Sequence, residues 1–410
     1  MALVLGAGQA MATGSAPAWL PAKQKMDAQL AAERGKLKVL APQAQQLEQT
    51  QDALSGMLQM AGNFASFAGD TEGAMAAFDE QDAMEKTQLR ADNDDFERLA
   101  EASAQDAIQA IVAEARQRQV VILNEAHHVP LHRAFAMRLA RELRKIGYAW
   151  LACEGFSETP MAGGYIGRKS GYYTQEPAFA NFIRDAALAG WKLMPYEHIE
   201  QDDDQPWERR IENREAGQAR KLAERIFSVD PKAKVFIYVG YGHVRERPAV
   251  GHGIGTALMA AQLKHRTGID PLTIDQTGMM AHTRTESEHP IYAKALTRAD
   301  RSEPFVLRAA QGGYQVFGQF RYGVDMQVVH PRYAIDPETG RPHWLASLSG
   351  YTPRQVPAAL LPSEGRRIVA ARLPGQPDDS IPADVLTLEA NKPAPHFMLP
   401  PGEYTFSIYE

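Results

Sequence analysis

The chain has 410 residues, with 44 Lys and Arg against 50 Asp and Glu, a net charge of −6, and hydrophobic side chains at 44% of positions. That length exceeds one ordinary core and predicts two or three domains. No long Lys/Arg block is present, which sets aside a general nucleic-acid surface, since that needs clustered cations against phosphate. Cys153 is the single cysteine and excludes an internal disulfide framework. No apolar run is long enough to predict a transmembrane span.

Residues 1–22 read as a truncated export signal. Leu3-Val4-Leu5 is apolar, small residues follow, and Ala10-Met11-Ala12 supplies an A-x-A-like site, although the basic leading region is missing. An exported protein, periplasmic or secreted, is the expectation; a flexible terminus on a cytoplasmic protein is the alternative. Residues 23–98 are rich in Ala, Gln and Glu with no strand-like run, and predict helices. The stretch Gly69-Asp70-Thr71-Glu72-Gly73-Ala74-Met75-Ala76-Ala77-Phe78 resembles the second-helix entry of a tetratricopeptide unit. Stacked repeats need several copies and one is present, so a helical hairpin is expected.

Residues 99–285 alternate between helical and strand patterns, which implies β-α-β crossovers and a parallel sheet. Ile108, Ile111, Val112 and Ala115 mark a helical stripe with Ser103 as its cap and Asp106 in support. Val120-Val121-Ile122-Leu123 is a short β-branched run suited to a strand covered on both faces. Phe135, Leu139, Leu143 and Ile146 give the next helix, ended by Gly147. Ala149 to Cys153 is a second strand; Pro177 opens a helix that Gly190 closes before Trp191-Lys192-Leu193-Met194. Ala219, Leu222, Ala223 and Ile226 carry a helix into the strand Val235 to Val239. A further helix, from about Ile254 to Arg266, stops near Gly268 and leads into Leu272-Thr273-Ile274. Residues 286–410 lose the helical signal, and segments such as Tyr314 to Phe317, Arg367 to Ala370 and Tyr404 to Ile408 predict an all-β C-terminal domain.

Three of the apolar strands end on groups that bind metals or move protons: Glu125 and His127 after the first, Glu154 after the second, His243 after Gly240-Tyr241-Gly242. Parallel sheets place ligands beyond the carboxyl ends of their strands, so these side chains predict one site. Glu125, His127, Glu154 and His243 form a mixed N/O donor set that suits zinc, manganese, cobalt or iron and is too nitrogen-rich for calcium. A bound divalent metal would acidify water, with a nearby carboxylate as base; without metal, His127 could itself be the base. His128 and His132 fit solvated residues of the following helix as readily as a site. Cys153 reads as an inert buried thiol, and Asp202-Asp203-Asp204 as a solvated run lacking the spacing of a calcium loop.

The order Asn124-Glu125-Ala126-His127, Glu154, Arg214-Glu215 and Gly240-Tyr241-Gly242-His243 resembles the superfamily that unites erythromycin esterases, ChaN-like haem-uptake proteins and TraB/Tiki proteases. The resemblance spans roughly residues 105–280 and is nearest to ChaN-like members, which often carry a further His where His132 stands. Asn124 departs from the usual Gly; Asn tolerates a left-handed turn, so the loop geometry can survive. The resemblance implies a three-layer α/β/α sandwich with a mainly parallel sheet, and a metal-assisted hydrolase of ester, lactone or peptide bonds. Its catalytic residues would be Glu125, His127, Glu154, Arg214 and His243, its substrate a small molecule or peptide. Arg214, placed at a helix start where the macrodipole disfavours a cation, would pair with an anionic group. The alternative is a haem- or iron-binding protein without catalysis. In that reading Tyr172 and Tyr173, in the aromatic stretch Tyr165 to Tyr173 that could fold over the pocket, would meet haem.

Overall fold

The computed structural model describes residues 11–13, 16–40, 44–84, 89–199, 204–247, 257–299 and 302–409. Leu3-Val4-Leu5, Ala10, Asp202-Asp203 and the first turn expected from Ile254 lie outside the described residues.

A short strand β1 (Met11–Thr13) precedes four helices: α1 (Trp19–Leu40), α2 (Ala44–Phe67), α3 (Thr71–Met84) and α4 (Asn93–Glu101). The first three pack against one another in sequence, which extends the expected hairpin by one helix. Gly69 makes the α2–α3 turn at φ +71°, and a Cβ there would lie 2.0 Å from the Val385 carbonyl oxygen, so only glycine lets this turn settle on the C-terminal strands. The capping box of α4 is reciprocal, Asp92 accepting from the Asp95 N–H and Asp95 from the Asp92 N–H.

The central unit comprises β2 (Ser103–Asp106), α5 (Ala107–Ala115), β3 (Val120–Glu125), α6 (Pro130–Lys145), β4 (Trp150–Cys153) and α7 (Pro177–Leu188). It continues through β5 (Lys192–Pro195), α8 (Trp207–Leu222), β6 (Val235–Gly240), α9 (Met259–Thr267), β7 (Leu272–Asp275), β8 (Phe305–Arg308) and β9 (Met326–Val329). These eight strands form one sheet in the order β2-β8-β9-β7-β3-β6-β4-β5. From β9 to β5 every neighbouring pair is parallel, and β2 and β8 complete the sheet antiparallel. Because side chains alternate faces, Val121, Leu123, Phe236 and Tyr238 enter one core with Phe135, Leu139 and Phe182. Val120, Ile122, Val235 and Ile237 enter another with Leu222, Met259 and Leu263. β3 and β6 are buried on both sides, which is why each reads as a continuous apolar run rather than an alternating one.

Four sequence expectations change. Ser103 does not cap α5; it begins the polar edge strand β2, and the cap is Asp106, whose carboxylate accepts the Gln109 N–H at 2.8 Å. The sheet does not stop near residue 285 but takes in β8 and β9. Tyr314 makes only an isolated bridge to Arg308, so Tyr314 to Phe317 is no strand. Finally, α8 begins at Trp207, behind Pro206, so Arg214 stands in mid-helix and the macrodipole argument for it falls away.

The C-terminal region is mainly antiparallel strands: β10 (Ile335–Asp336), β11 (Arg341–Pro342), β12 (Thr352–Arg354), β13 (Arg366–Arg372), β14 (Asp384–Glu389), β15 (Phe397–Leu399) and β16 (Thr405–Tyr409). A four-stranded sheet runs β1-β16-β13-β14, with β1 parallel to β16. Trp19, Leu58 and Phe67 of the early helices share a core with Ala370, Val385 and Tyr409 of this sheet. No helix among the described residues is long and apolar enough to cross a membrane.

Candidate active site at the strand ends

The parallel register sets Glu125 level with Gly240 and Cys153 level with Tyr238, so the carboxyl ends of β3, β4 and β6 lie side by side. Glu125, the last residue of β3, is 2% exposed. Its Oε1 lies 2.9 Å from His127 Nδ1, and Arg133 Nε donates to its Oε2 at 2.8 Å. Arg133, from the first turns of α6, is wholly buried; it also donates to Glu176 Oε2 at 2.9 Å and to the His127 carbonyl at 2.6 Å, and lies over the Phe179 ring. Glu176 in turn caps α7, accepting the N–H groups of Ala178 and Phe179. Burial alone would raise the Glu125 carboxyl, but Arg133 and His127 hold it down to about 2. A carboxylate so ionised can only accept, so the proton it shares with His127 resides on Nδ1 and leaves the Nε2 lone pair available.

A second carboxylate faces the first. Glu154 follows β4, is 6% exposed, accepts the Gly240 N–H on Oε2 at 2.6 Å and the Arg214 Nη2 on Oε1 at 2.5 Å. Burial would raise it as well, and His243 and Arg214 bring it down to about 2. Arg214 forks onto Glu197, beyond the end of β5, at 3.0 and 2.6 Å, and its Nη1 is 3.2 Å from His243 Nε2. His243 Nδ1 lies 2.6 Å from Glu215 Oε1, while the other oxygen of fully buried Glu215 accepts the Met259 N–H at the start of α9. Desolvation lowers the His243 imidazole, and Glu154 with Glu215 raise it further than that, so it sits above its ordinary value.

Gly240 is the meeting point of the two carboxylate groups. A Cβ at this position would fall 2.4 Å from His127 Nε2 and 3.1 Å from Glu154 Oε2. The missing side chain is therefore what allows the His127 lone pair and Glu154 to share one space. Next to it Tyr241 is held at φ +38°, a strained value for a side-chain-bearing residue, by Asn124 Nδ2 donating to its carbonyl at 2.9 Å. The Tyr241 ring meets the edge of His127, and Tyr173 stacks on the face of His127 at 3.7 Å.

The structure thus brings together all five residues singled out as catalytic: Glu125, His127, Glu154, Arg214 and His243. The other candidates are placed differently. His128 turns away from the cluster and stacks on Phe78 of α3 at 3.5 Å. His132 is fully buried, its Nδ1 accepting the Ala126 N–H, with its ring 5.4 Å from His330. Asn124 is no turn residue: it stays within β3 and ties it to β7, donating to Asp275 Oδ1 at 2.8 Å and accepting the Gln276 N–H at 2.8 Å. Cys153 is buried, which pushes its thiol up. Tyr165 to Tyr173 does lie over His127 through Tyr173, and it is pinned from outside by Tyr165 donating to Asp379 and by the Gly167–Ser380 bridge. Tyr172 is 44% exposed and packs on Phe67. Sequence reasoning missed Arg133, Glu176 and Glu197, and quoted Glu215 only as part of the Arg214-Glu215 segment without a role, although Glu176 immediately before Pro177 is itself a helix-start signal.

As a metal cradle, this donor set does not fit. Both Glu125 oxygens are engaged by Arg133, and Oε1 by His127 as well; both Glu154 oxygens are engaged by Gly240 N–H and Arg214. A divalent cation would have to displace a guanidinium at Glu125, and at Glu154 it would meet the Gly240 N–H on one oxygen and the Arg214 guanidinium on the other. Among the described residues, no group of three or more His, Cys, Asp or Glu side chains is arranged to hold a metal ion.

No protein-family model matches the chain. No curated protein matches it either. Among solved structures, the type III effector HopBA1 is 14% identical over 46% of this chain and 93% of its own length, at a TM-score of 0.29. The MARTX toxin effector domain RRSP from Vibrio vulnificus CMCP6 is 15% identical over 56% of this chain and 46% of its own, at 0.30. A chain described under bacterial protein toxins is 15% identical over 57% of this chain and 47% of its own, at 0.31. The chain spans less than half the length of the last two, and likenesses this distant carry no argument here.

Proposed function

We propose that the protein is a hydrolase of ester, lactone or peptide bonds in which His127 is the general base and no metal takes part. The observation that supports this most is the Glu125–His127 pair, backed by buried Arg133 and opposed across Gly240 by Glu154 with its own Arg214 and His243. In this reading Glu125 fixes the Nδ1–H tautomer, and His127 Nε2 takes a proton from water as the water oxygen attacks the carbonyl carbon. Arg214 and His243 offset the negative charge that forms on the carbonyl oxygen, and His127 then returns the proton to the leaving oxygen or nitrogen. The motif order shared with the erythromycin-esterase, ChaN-like and TraB/Tiki group, with its three-layer α/β/α arrangement, supports the same class.

The test is a panel of activated esters, lactones and peptides assayed with chelator and separately with zinc, manganese, cobalt or ferrous iron. Hydrolysis indifferent to metal, falling about a hundredfold to ten-thousandfold in His127→Ala, is the expected result. Full activity in that variant would end the reading, and activity that appears only with metal would restore the metal-assisted version. Haem titration covers the non-catalytic alternative: a Soret band lost in a Tyr172→Phe/Tyr173→Phe variant, with no hydrolysis of any substrate, would favour haem binding.

A further inference from the structure

His127 and His128 are neighbours in sequence but project to different places. His128 lines a cleft of about 450 Å³ at the carboxyl ends of β3, β7 and β9, roofed by Thr71, Glu72 and Met75 of α3. Its apolar lining includes Val129, Leu131, Met280 and Trp344, and its polar lining Glu72, His128, His282, Thr283 and Tyr333. Asp79, itself 0% exposed, holds His282 Nδ1 at 2.6 Å and also accepts the Thr283 N–H at 2.9 Å. Asp79 is thus saturated and fixed, and it orients His282 so that Nε2, which has no partner among the described residues, is left to the cleft. A cleft of this size with an apolar wall and a few polar groups, one of them held in a fixed orientation, is the usual form of a small-molecule site.

We propose that this cleft binds an amphipathic monocarboxylate: the carboxylate accepts from His282 Nε2–H, and the alkyl body lies along Val129, Leu131, Met280 and Trp344. With Asp79 on Nδ1 a neutral ring would present a lone pair at Nε2, so binding the carboxylate takes up one proton from solvent, and the bound state is a carboxylate–imidazolium–carboxylate line ending on Asp79. Glu72 at the rim repels a second negative charge, which restricts the class to ligands with one anionic group. The site is independent of the hydrolase reading, because it uses none of the residues of the Glu125/Glu154 cluster.

The experiment is calorimetric titration of the full chain with hexanoate, octanoate and decanoate, and with decanol and decyltrimethylammonium as head-group controls. Affinity is expected to rise roughly fourfold per added methylene, as alkyl burial requires. Decanoate is expected to bind at least tenfold more tightly than decanol, and the ammonium not at all. His282→Gln should erase the preference for decanoate over decanol, and Met280→Trp, which fills the cleft, should abolish binding of both while the melting temperature confirms folding. Equal affinity for decanoate and decanol in the parent, no chain-length dependence, or a preference that survives His282→Gln would each overturn the proposal.

Discussion

The two carboxylate groups of the site are built from the same parts, a Glu at a strand end, an Arg from a helix and a His, yet they differ in access to water. Arg133 is fully buried between Glu125 and Glu176, whereas the Arg214 side chain is 33% exposed and shared between Glu154 and Glu197. The first arrangement fixes one tautomer and one ring orientation of His127. The second leaves a cation and an imidazole at the edge of solvent, where a substrate can reach them. Burial thus separates a positioning half from a contacting half, and that separation can be attacked experimentally.

The largest effect is expected from Arg133→Met, which leaves Glu125 and Glu176 buried without their cation; a loss of about 3–5 kcal/mol should appear in thermal or urea unfolding. Arg214→Met should cost less than that, because Glu154 keeps His243 and the Gly240 N–H and Glu197 is partly solvated, while still lowering turnover. Equal destabilisation by the two would erase the contrast. Asn124→Gly is expected to destabilise by roughly 1–3 kcal/mol, because Asp275 and the Gln276 N–H lose buried partners; a neutral result would show that the β3–β7 tie is dispensable. Gly240→Ala should reduce activity more than stability, as its methyl would occupy the space between His127 and Glu154.

Acid titration sharpens the comparison least in magnitude but most in sign. Glu125 and Glu154 both have folded values near 2, below the unfolded carboxyl, so each stabilises above the unfolded value and that contribution fades as pH falls from about 4.5 toward 2. His243 is raised, so its contribution is complete below the unfolded imidazole value and is lost as pH rises through the higher folded one. Stability of the parent should therefore decline at both ends, and in His243→Gln the loss through the raised imidazole value should disappear while the acid decline shrinks to the Glu125 part and what Arg214 still holds of Glu154.

Much of this site was legible because its strands are buried on both faces. Val120 to Leu123 and Val235 to Val239 have no polar interruption, so their ends, and hence Glu125, His127 and His243, stand out. The polar edge strand Ser103–Asp106 carries no such signal, since an edge needs no apolar face and its Asp106 doubles as a cap. Arg133 was hidden for a different reason. It sits in α6 among Ala134, Ala136, Met137 and Ala140, and one-dimensional periodicity shows a single apolar stripe where the structure buries nearly the whole first half of the helix. Glu197 and Glu215 become meaningful only once Arg214 and His243 are seen between them. Their roles follow from partners distant in sequence.

The shared core of the early helices and the last strands bears on the order in which the chain can be assembled. Trp19 packs edge-on against both Phe67 and Tyr409. During synthesis the central sheet has all its strands once residue 329 has emerged, but α1 and α2 lack part of their apolar cover until β16 is made. The α1–α2 segment must therefore wait, with Trp19, Leu58 and Phe67 only partly covered, for β13, β14 and β16 to be made. A nascent chain stalled after β9 should accordingly recruit chaperones through α1 and α2 rather than through the newly made β8 and β9.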